Sequence, residues 1–347
     1  MMRILVIFFT LFVVLAGGWL IGESWLAQKA AEVVAQNPQL RVASVSALRD
    51  PGRFGLALSE PGVSSDGFSL SAPDLSLWVS PLAPTTLEAA LPGQIMFAPR
   101  PGEATRELGL NKGTASLTVA PFRDLSFTRA SLSAQDLTLD GLPVAKALSA
   151  TSRMQDLAAD APPQAHAAYD VVFDLQSLNP ASLPNIDLSM LPSGDLSLNG
   201  HGRVWLEDAL SPSSTAQNIQ LIGLEADQLS LGLGDLKARI VGRVQADENG
   251  YAQGKVMVFT ANTPEILQAL AAAGVISPKT VPFAMTMLKQ LSKEGTEPSN
   301  APATGQLAPA PASVPAKAGE IRLPITFADG KTMLGPIALG PAPRFAP

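Results

Sequence analysis

Phe68-Ser69-Leu70-Ser71 and, after Ala72-Pro73-Asp74, Leu75-Ser76-Leu77-Trp78-Val79 alternate apolar and small polar side chains. Successive side chains of a strand point to opposite faces, so a period of two places the leucines on one face and the serines on the other. The pattern recurs in both directions from this stretch. Upstream stands Val42-Ala43-Ser44-Val45; downstream stand Ala115-Ser116-Leu117-Thr118-Val119, Leu125-Ser126-Phe127, Leu132-Ser133-Ala134, Leu137-Thr138-Leu139 and Leu196-Ser197-Leu198. Asp50-Pro51-Gly52, Ser65-Asp66-Gly67, Asp140-Gly141 and Glu248-Asn249-Gly250 punctuate these runs as turns. Many short strands with regular turns predict antiparallel sheet, and the lack of helix-length segments between them argues against βαβ crossovers. The expected fold is mainly β: an extended, curved antiparallel sheet over residues 40–294. Its apolar face has to be covered by helices, by the sheet itself or by a ligand. Ala147–Ala168 breaks the pattern and reads as a short helix and loop around Asp156 to Pro163.

Composition excludes several classes of function. Of 347 residues, 46% are hydrophobic and only 16% charged, so core material is plentiful and the polar face is built from Ser, Thr, Gly, Asn and Gln. The net charge is −6 with no Lys/Arg block, which argues against nucleic acid as a partner. There is no cysteine, hence no disulfide, thiolate metal site or Cys nucleophile.

Ile4 to Ile21 is apolar except for the hydroxyl of Thr10, with Trp19 near its end and Trp25 just beyond it. At about 1.5 Å per residue such a run spans most of a hydrocarbon core of about 30 Å, with the indoles near the interface. Residues 1–26 therefore read as a signal-anchor transmembrane helix, and residues 27–39 as a juxtamembrane helix that stops at Asn37-Pro38. Arg3 before the run places the N-terminus in the cytoplasm by the positive-inside rule. A cleaved signal peptide is the alternative, with Gly22-Glu23-Ser24 as small-residue cleavage context. Both readings export the remainder of the chain.

Toward the C-terminus, Gln228–Leu233, Leu236–Gln245 and Ala252–Val258 read as strands around a turn at 247–250. Thr263 as cap, Pro264 at the first helical position and Gly274 as stop predict a short helix over 263–273. Ser277-Pro278 starts a second over 278–292, with Val281, Ala284, Leu288 and Leu291 at helical spacing. Residues 295–319, rich in Pro, Ala, Gly, Ser and Thr, read as a disordered linker. Residues 320–347 form a closing β-hairpin around Ala328-Asp329-Gly330, with φ > 0 required at Gly330.

Chemistry is sparse. His166, in a Pro/Ala stretch, and His201, between Gly200 and Gly202, lack an adjacent nucleophile motif and read as solvent or turn residues. Gly232-Leu233-Gly234 is no dinucleotide fingerprint: Lys237 stands at the sixth position and no helix follows. Asp136/Asp140 and Asp156/Asp160 could be carboxylate pairs, but strand ends and a polar loop explain their spacing. Phe283, Met285 and Met287 read either as core of the second helix or as a plastic surface for acyl chains. No catalytic, cofactor-binding or metal-ligating residue is assigned, and the chain is read as a non-enzyme.

The order of elements toward the C-terminus, ending in IRLPITFADGKTMLGPIALGPAP (321–343), resembles a family of uncharacterised bacterial membrane-anchored proteins and, more distantly, the AsmA-like envelope proteins. The resemblance implies a single-pass protein of the bacterial inner membrane with its bulk in the periplasm. Larger AsmA-like proteins form β-grooves with apolar interiors that carry lipid, although this chain is much shorter than they are. The partners expected on this basis are the membrane, a phospholipid in a β-groove or, alternatively, envelope proteins bound by a structural scaffold without lipid.

Overall fold

The computed structural model describes residues 21–345 apart from 66–67, 99–103, 183–193, 213, 215–218, most of 262–319 and 336. The chain divides into two compact units, residues 1–124 with 128–147, and residues 125–127 with 148–347.

The first unit is a creased sheet. Its strands are β1 (Leu40–Arg41), β2 (Ser44–Ala47), β3 (Phe54–Ser59), β4 (Gly62–Ser65), β5 (Phe68–Ser71), β6 (Asp74–Ser80), β7 (Ala83–Ala90), β8 (Gln94–Ala98) and the long β9 (Arg106–Ala120). β1, β4, β5 and β8 pair in that order, as do β2, β3, β6 and β7. β9 serves both sets, pairing with β8 through Arg106–Gly109 and with β7 through Thr114–Thr118. The chain thus runs as long antiparallel passes, each broken at one line: Val42-Ala43, Glu60-Pro61, Ala72-Pro73, Leu91–Gly93 and, within β9, Leu110–Gly113. Backbone bonds carry the ladder across that line, among them Ala43 N to Ser59 O (2.9 Å), Glu60 N to Pro73 O (2.8 Å) and Leu91 N to Gly113 O (2.9 Å). The cause is local. Pro61 and Pro73 have no N–H to give, and Glu60 (φ 48) and Lys112 (φ 47) take left-handed conformations that bend a strand as a bulge does.

Residues 21–36 form a helix whose inner face carries Glu23 and Ala27, both buried. The Glu23 carboxylate is fully buried and accepts the amides of Arg49 (3.2 Å) and Gly55 (3.1 Å), which bolts the first turn of the helix to the β2–β3 hairpin. This helix corrects the sequence reading. Among the described residues no helix is long and apolar enough to cross a membrane. Glu23, Lys29 and Glu32 make residues 21–36 a docked amphipathic helix, because a carboxylate that satisfies two backbone amides is stable only against protein. The apolar run at 4–20, on which the transmembrane expectation chiefly rested, lies outside the described residues.

The division between units falls within β10 (Ser126–Leu139) and β11 (Leu142–Gln155). Leu132–Ala134 and Leu137–Leu139, separate in the sequence pattern, belong to one strand with a positive φ of 48° at Asp136. Ala147–Ala168 is strand to Gln155, an irregular loop over 156–166 and strand again from Ala167, with no helix.

The second unit continues through β12 (Ala167–Leu178), a 3-10 turn at Pro180–Ser182, β13 (Leu196–Leu206), β14 (Leu221–Leu233), β15 (Leu236–Ala246), β16 (Ala252–Thr260), β17 (Ile321–Ala328), β18 (Lys331–Leu334) and β19 (Ile337–Pro341). Each strand from β12 to β19 pairs antiparallel with the next. Asp329 (φ 51) and Gly330 (φ 68) close β17–β18 with two left-handed residues, the geometry of a two-residue hairpin loop. No helix with described bounds lies between β16 and β17, so the two C-terminal helices expected at 263–273 and 278–292 do not stand with those bounds, although Pro264, Leu267, Gln268, Ala271, Val281, Pro282 and Thr286 are helical. Caps and periodicity are short-range signals, and helices this short gain most of their stability from tertiary packing. Most of those two segments, the linker at 295–319 and the Phe283, Met285 and Met287 cluster lie outside the described residues. Leu267 and Val281 are described, and both are buried in the main core with Leu236, Val258, Leu323 and Leu334.

Candidate functional site

Residues opposite one another in an antiparallel pair share a face, so the register of the second unit sorts its side chains directly. One row runs Val171, Gly202, Ala226, Gly242, Val256, Ile325, and the next Tyr169, Val204, Leu224, Val244, Gly254, Phe327. Neither row holds a charge. On the other face the row is Asp170, Arg203, Glu225, Arg243, Lys255, Thr326.

The apolar face is covered unevenly. At the Leu236 and Leu323 end it is closed by the core that includes Leu267 and Val281. At the other end it opens as a cleft of about 280 Å³ lined only by apolar residues, chiefly Leu224, Ile240, Val244, Val256, Phe327 and Phe345. Leu224 is 41% exposed at its edge. Gly242 lines the cleft, and Gly254 lies in the neighbouring strand beside it. A Cβ on Gly242, in its floor, would meet Lys255 O at 2.4 Å and Val256 Cα at 2.5 Å. Gly254 has φ 147, and a Cβ there would lie 2.2 Å from Arg243 O. Only glycine lets β15 and β16 approach in this way, and no side chain from either position fills the space.

The polar face is a charge ladder with a sealed end. Arg203 Nε donates to Asp170 Oδ1 at 2.7 Å, which raises the Arg203 pKa further. Arg243 is 4% exposed, lies over the Trp205 ring at 4.3 Å and is paired at 2.8 Å with Asp160 Oδ2. Asp160 reaches it from the 156–166 loop, whose Ala161 and Ala165 pack on Trp205. Burial holds Glu225 above the ordinary glutamate value of 4.5; Asp227 pushes the same way, against the pull of Arg243 and Arg203. A second cavity, of about 330 Å³, lies on this face between Ser197, Asn199, Ser230 and Lys237, floored by the Arg239–Glu320 ion pair (2.8 Å). In the first unit a groove of about 690 Å³ follows the crease past Arg41, Glu60, Ser71 and Gln94.

The structure separates the residues singled out by the sequence. His166 Nδ1 lies 2.9 Å from Glu207 O. His201 Nε2 is 3.2 Å from Asp227 Oδ2, with both side chains about half exposed. Asp140 accepts the Glu107 amide (2.9 Å) at a turn and lies 3.6 Å from Arg106, whereas Asp160 serves Arg243. Gly234 (φ 56) is the β14–β15 turn. Among the described residues no group of three His, Asp or Glu could hold a metal ion. The apolar cleft was missed residue by residue because its lining comes from four distant stretches. The signal that could have found it is the pair of in-strand glycines among β-branched residues, Val241-Gly242-Arg243-Val244 and Gly254-Lys255-Val256.

No curated protein and no solved structure matches the chain. A family model described as uncharacterised protein conserved in bacteria (DUF2125) matches residues 50–343, and the chain therefore belongs to that family.

Proposed function

We propose that the chain is a lipid-binding protein of the bacterial cell envelope that holds an acyl chain in the apolar cleft of its second unit, acting by binding rather than by catalysis. The observation that carries this reading is the cleft itself: an opening at the edge of a closed core, with no polar side chain in its lining. Water gains no hydrogen bond there, and each methylene moved into such a site contributes about 0.8 kcal/mol. The apolar run at 4–21 supports delivery to the envelope. The distant resemblance to AsmA-like proteins, whose larger members form apolar β-grooves, points the same way.

A protein scaffold without lipid is the second reading. It is favoured by Leu267 and Val281, through which the chain covers part of its own apolar face. A photoactivatable phospholipid separates the two. Cross-links are expected on β14–β16 and on Phe345, and Leu224→Arg at the exposed edge is expected to abolish them without lowering the melting temperature. Cross-links spread evenly over the chain, or unchanged in Leu224→Arg, would favour the scaffold.

A further inference from the structure

Two hairpin tips of the first unit carry nearly bare apolar side chains: Leu82, 97% exposed, between β6 and β7, and Phe122, 99% exposed, between β9 and β10. An exposed apolar side chain standing singly is ordinary; several gathered at one end of a unit mark an interaction surface. Both turns are built rather than loose: the Leu82 amide donates to Ser80 Oγ (3.3 Å) and the Arg123 amide to Ala120 O (3.1 Å), and Pro81 and Pro121 precede the apolar residues.

The register places both tips at one end of the unit. Thr86 faces Thr118, and from that pair β7 runs back to the Leu82 turn while β9 runs forward to the Phe122 turn. Phe54 faces Val79, which brings the turn between β2 and β3 to the same end. That turn is where Glu23 fastens the helix of residues 21–36, whose outer side carries Ile21 (72% exposed) and Trp25 (60%). The apolar sequence Ile4–Ile21 therefore leads into this end of the unit. The described turn at the opposite end of β9 and β10 is Asp140-Gly141, where the Asp140 amide donates to Glu107 O.

We propose that this end is a bilayer-seating surface, with Leu82 and Phe122 as two prongs in the lipid interface beside Trp25. The occupant is a lipid surface because the chain entering here is an apolar run broken only by Thr10, and because indole and phenyl side chains at such a boundary partition into the interfacial zone. The surface belongs to the first unit and stands or falls separately from the cleft of the second.

The absence of cysteine makes the test direct. Leu82→Cys, Phe122→Cys and Leu142→Cys, the last exposed at the opposite end, are each labelled with an environment-sensitive fluorophore in the full-length chain. The chains are reconstituted in vesicles of phosphatidylethanolamine and phosphatidylglycerol. Blue-shifted emission and several-fold quenching by lipid-borne spin labels are expected at 82 and 122, with water-like emission at 142. Either tip behaving like position 142, or all three quenched alike, would overturn the proposal.

Discussion

Arg243 shows how one side chain ties a loop to a sheet. It is buried, stacked on Trp205 and paired with Asp160, whose own side chain is about half exposed. The two partners are therefore unequal. Asp160→Asn leaves a buried guanidinium without its counter-charge and is expected to cost about 1.5–3 kcal/mol. Arg243→Met keeps the packing on Trp205 and leaves a carboxylate that water can reach, so its cost in urea unfolding is expected to be the smaller of the two. The reverse order would mean that stacking, not charge, governs this position. Glu225 makes the complementary point through pH. Its folded pKa lies above its unfolded value, so between the two the native state binds more protons and stability falls as pH rises. Ionised Glu225 is thus a penalty at neutral pH that acid relieves. Glu225→Gln is expected to raise the melting temperature at pH 7, with the gain vanishing below the ordinary carboxylate range. A gain that persists at low pH would contradict this assignment. Neither feature was legible beforehand: Asp160 and Arg243 are far apart in sequence, and a ladder such as Asp170–Arg203–Glu225–Arg243 exists only once the register is known.

Elements were more legible than their limits. Alternation found strands in both units, because a period of two is a local property of each segment, but it passed over β7, β8 and β12 and read part of β11 as a break. It did not find the crease, because Ala72-Pro73 and Glu60-Pro61 look like ordinary turns until the ladder is seen to continue past them. The helix at 21–36 was expected as a continuation of the apolar run. Its attachment through Glu23 was invisible, since the amides it satisfies lie at Arg49 and Gly55. Glu23→Ala is expected to cost about 1–3 kcal/mol by orphaning these two amides. Hydrogen exchange should show their protection lost while β15 and β16 stay protected; unchanged protection at Arg49 and Gly55 would remove the bolt from the fold. Between β15 and β16, Gly254→Ala forces a Cβ into Arg243 O at a positive φ and is expected to cost about 1–3 kcal/mol or more. A Gly254→Ala chain with wild-type stability in thermal melts would show that β15 and β16 do not approach as closely as described.

For the whole molecule, the sequence foresaw a one-faced sheet that needs a cover. The second unit meets that need in two ways, with its own Leu267 and Val281 at one end and an open apolar cleft at the other. The cleft could not be read from the chain in advance, because β14, β15, β16, Phe327 of β17 and the C-terminal Phe345 supply its walls from separate stretches, and apolar residues look alike whether they close a core or line a cavity. The C-terminal capping pattern is a local signal: among the described residues it corresponds to helical positions such as Pro264, Leu267 and Gln268, but to no helix with defined bounds. Lipid occupancy is the claim on which the functional reading depends, and native mass spectrometry of the full-length protein, extracted in mild detergent and paired with lipid identification, tests it most directly. One phospholipid per chain, retained by the wild type and lost from Leu224→Arg, is the expected result; a wild-type chain that appears only at its apo mass would contradict it.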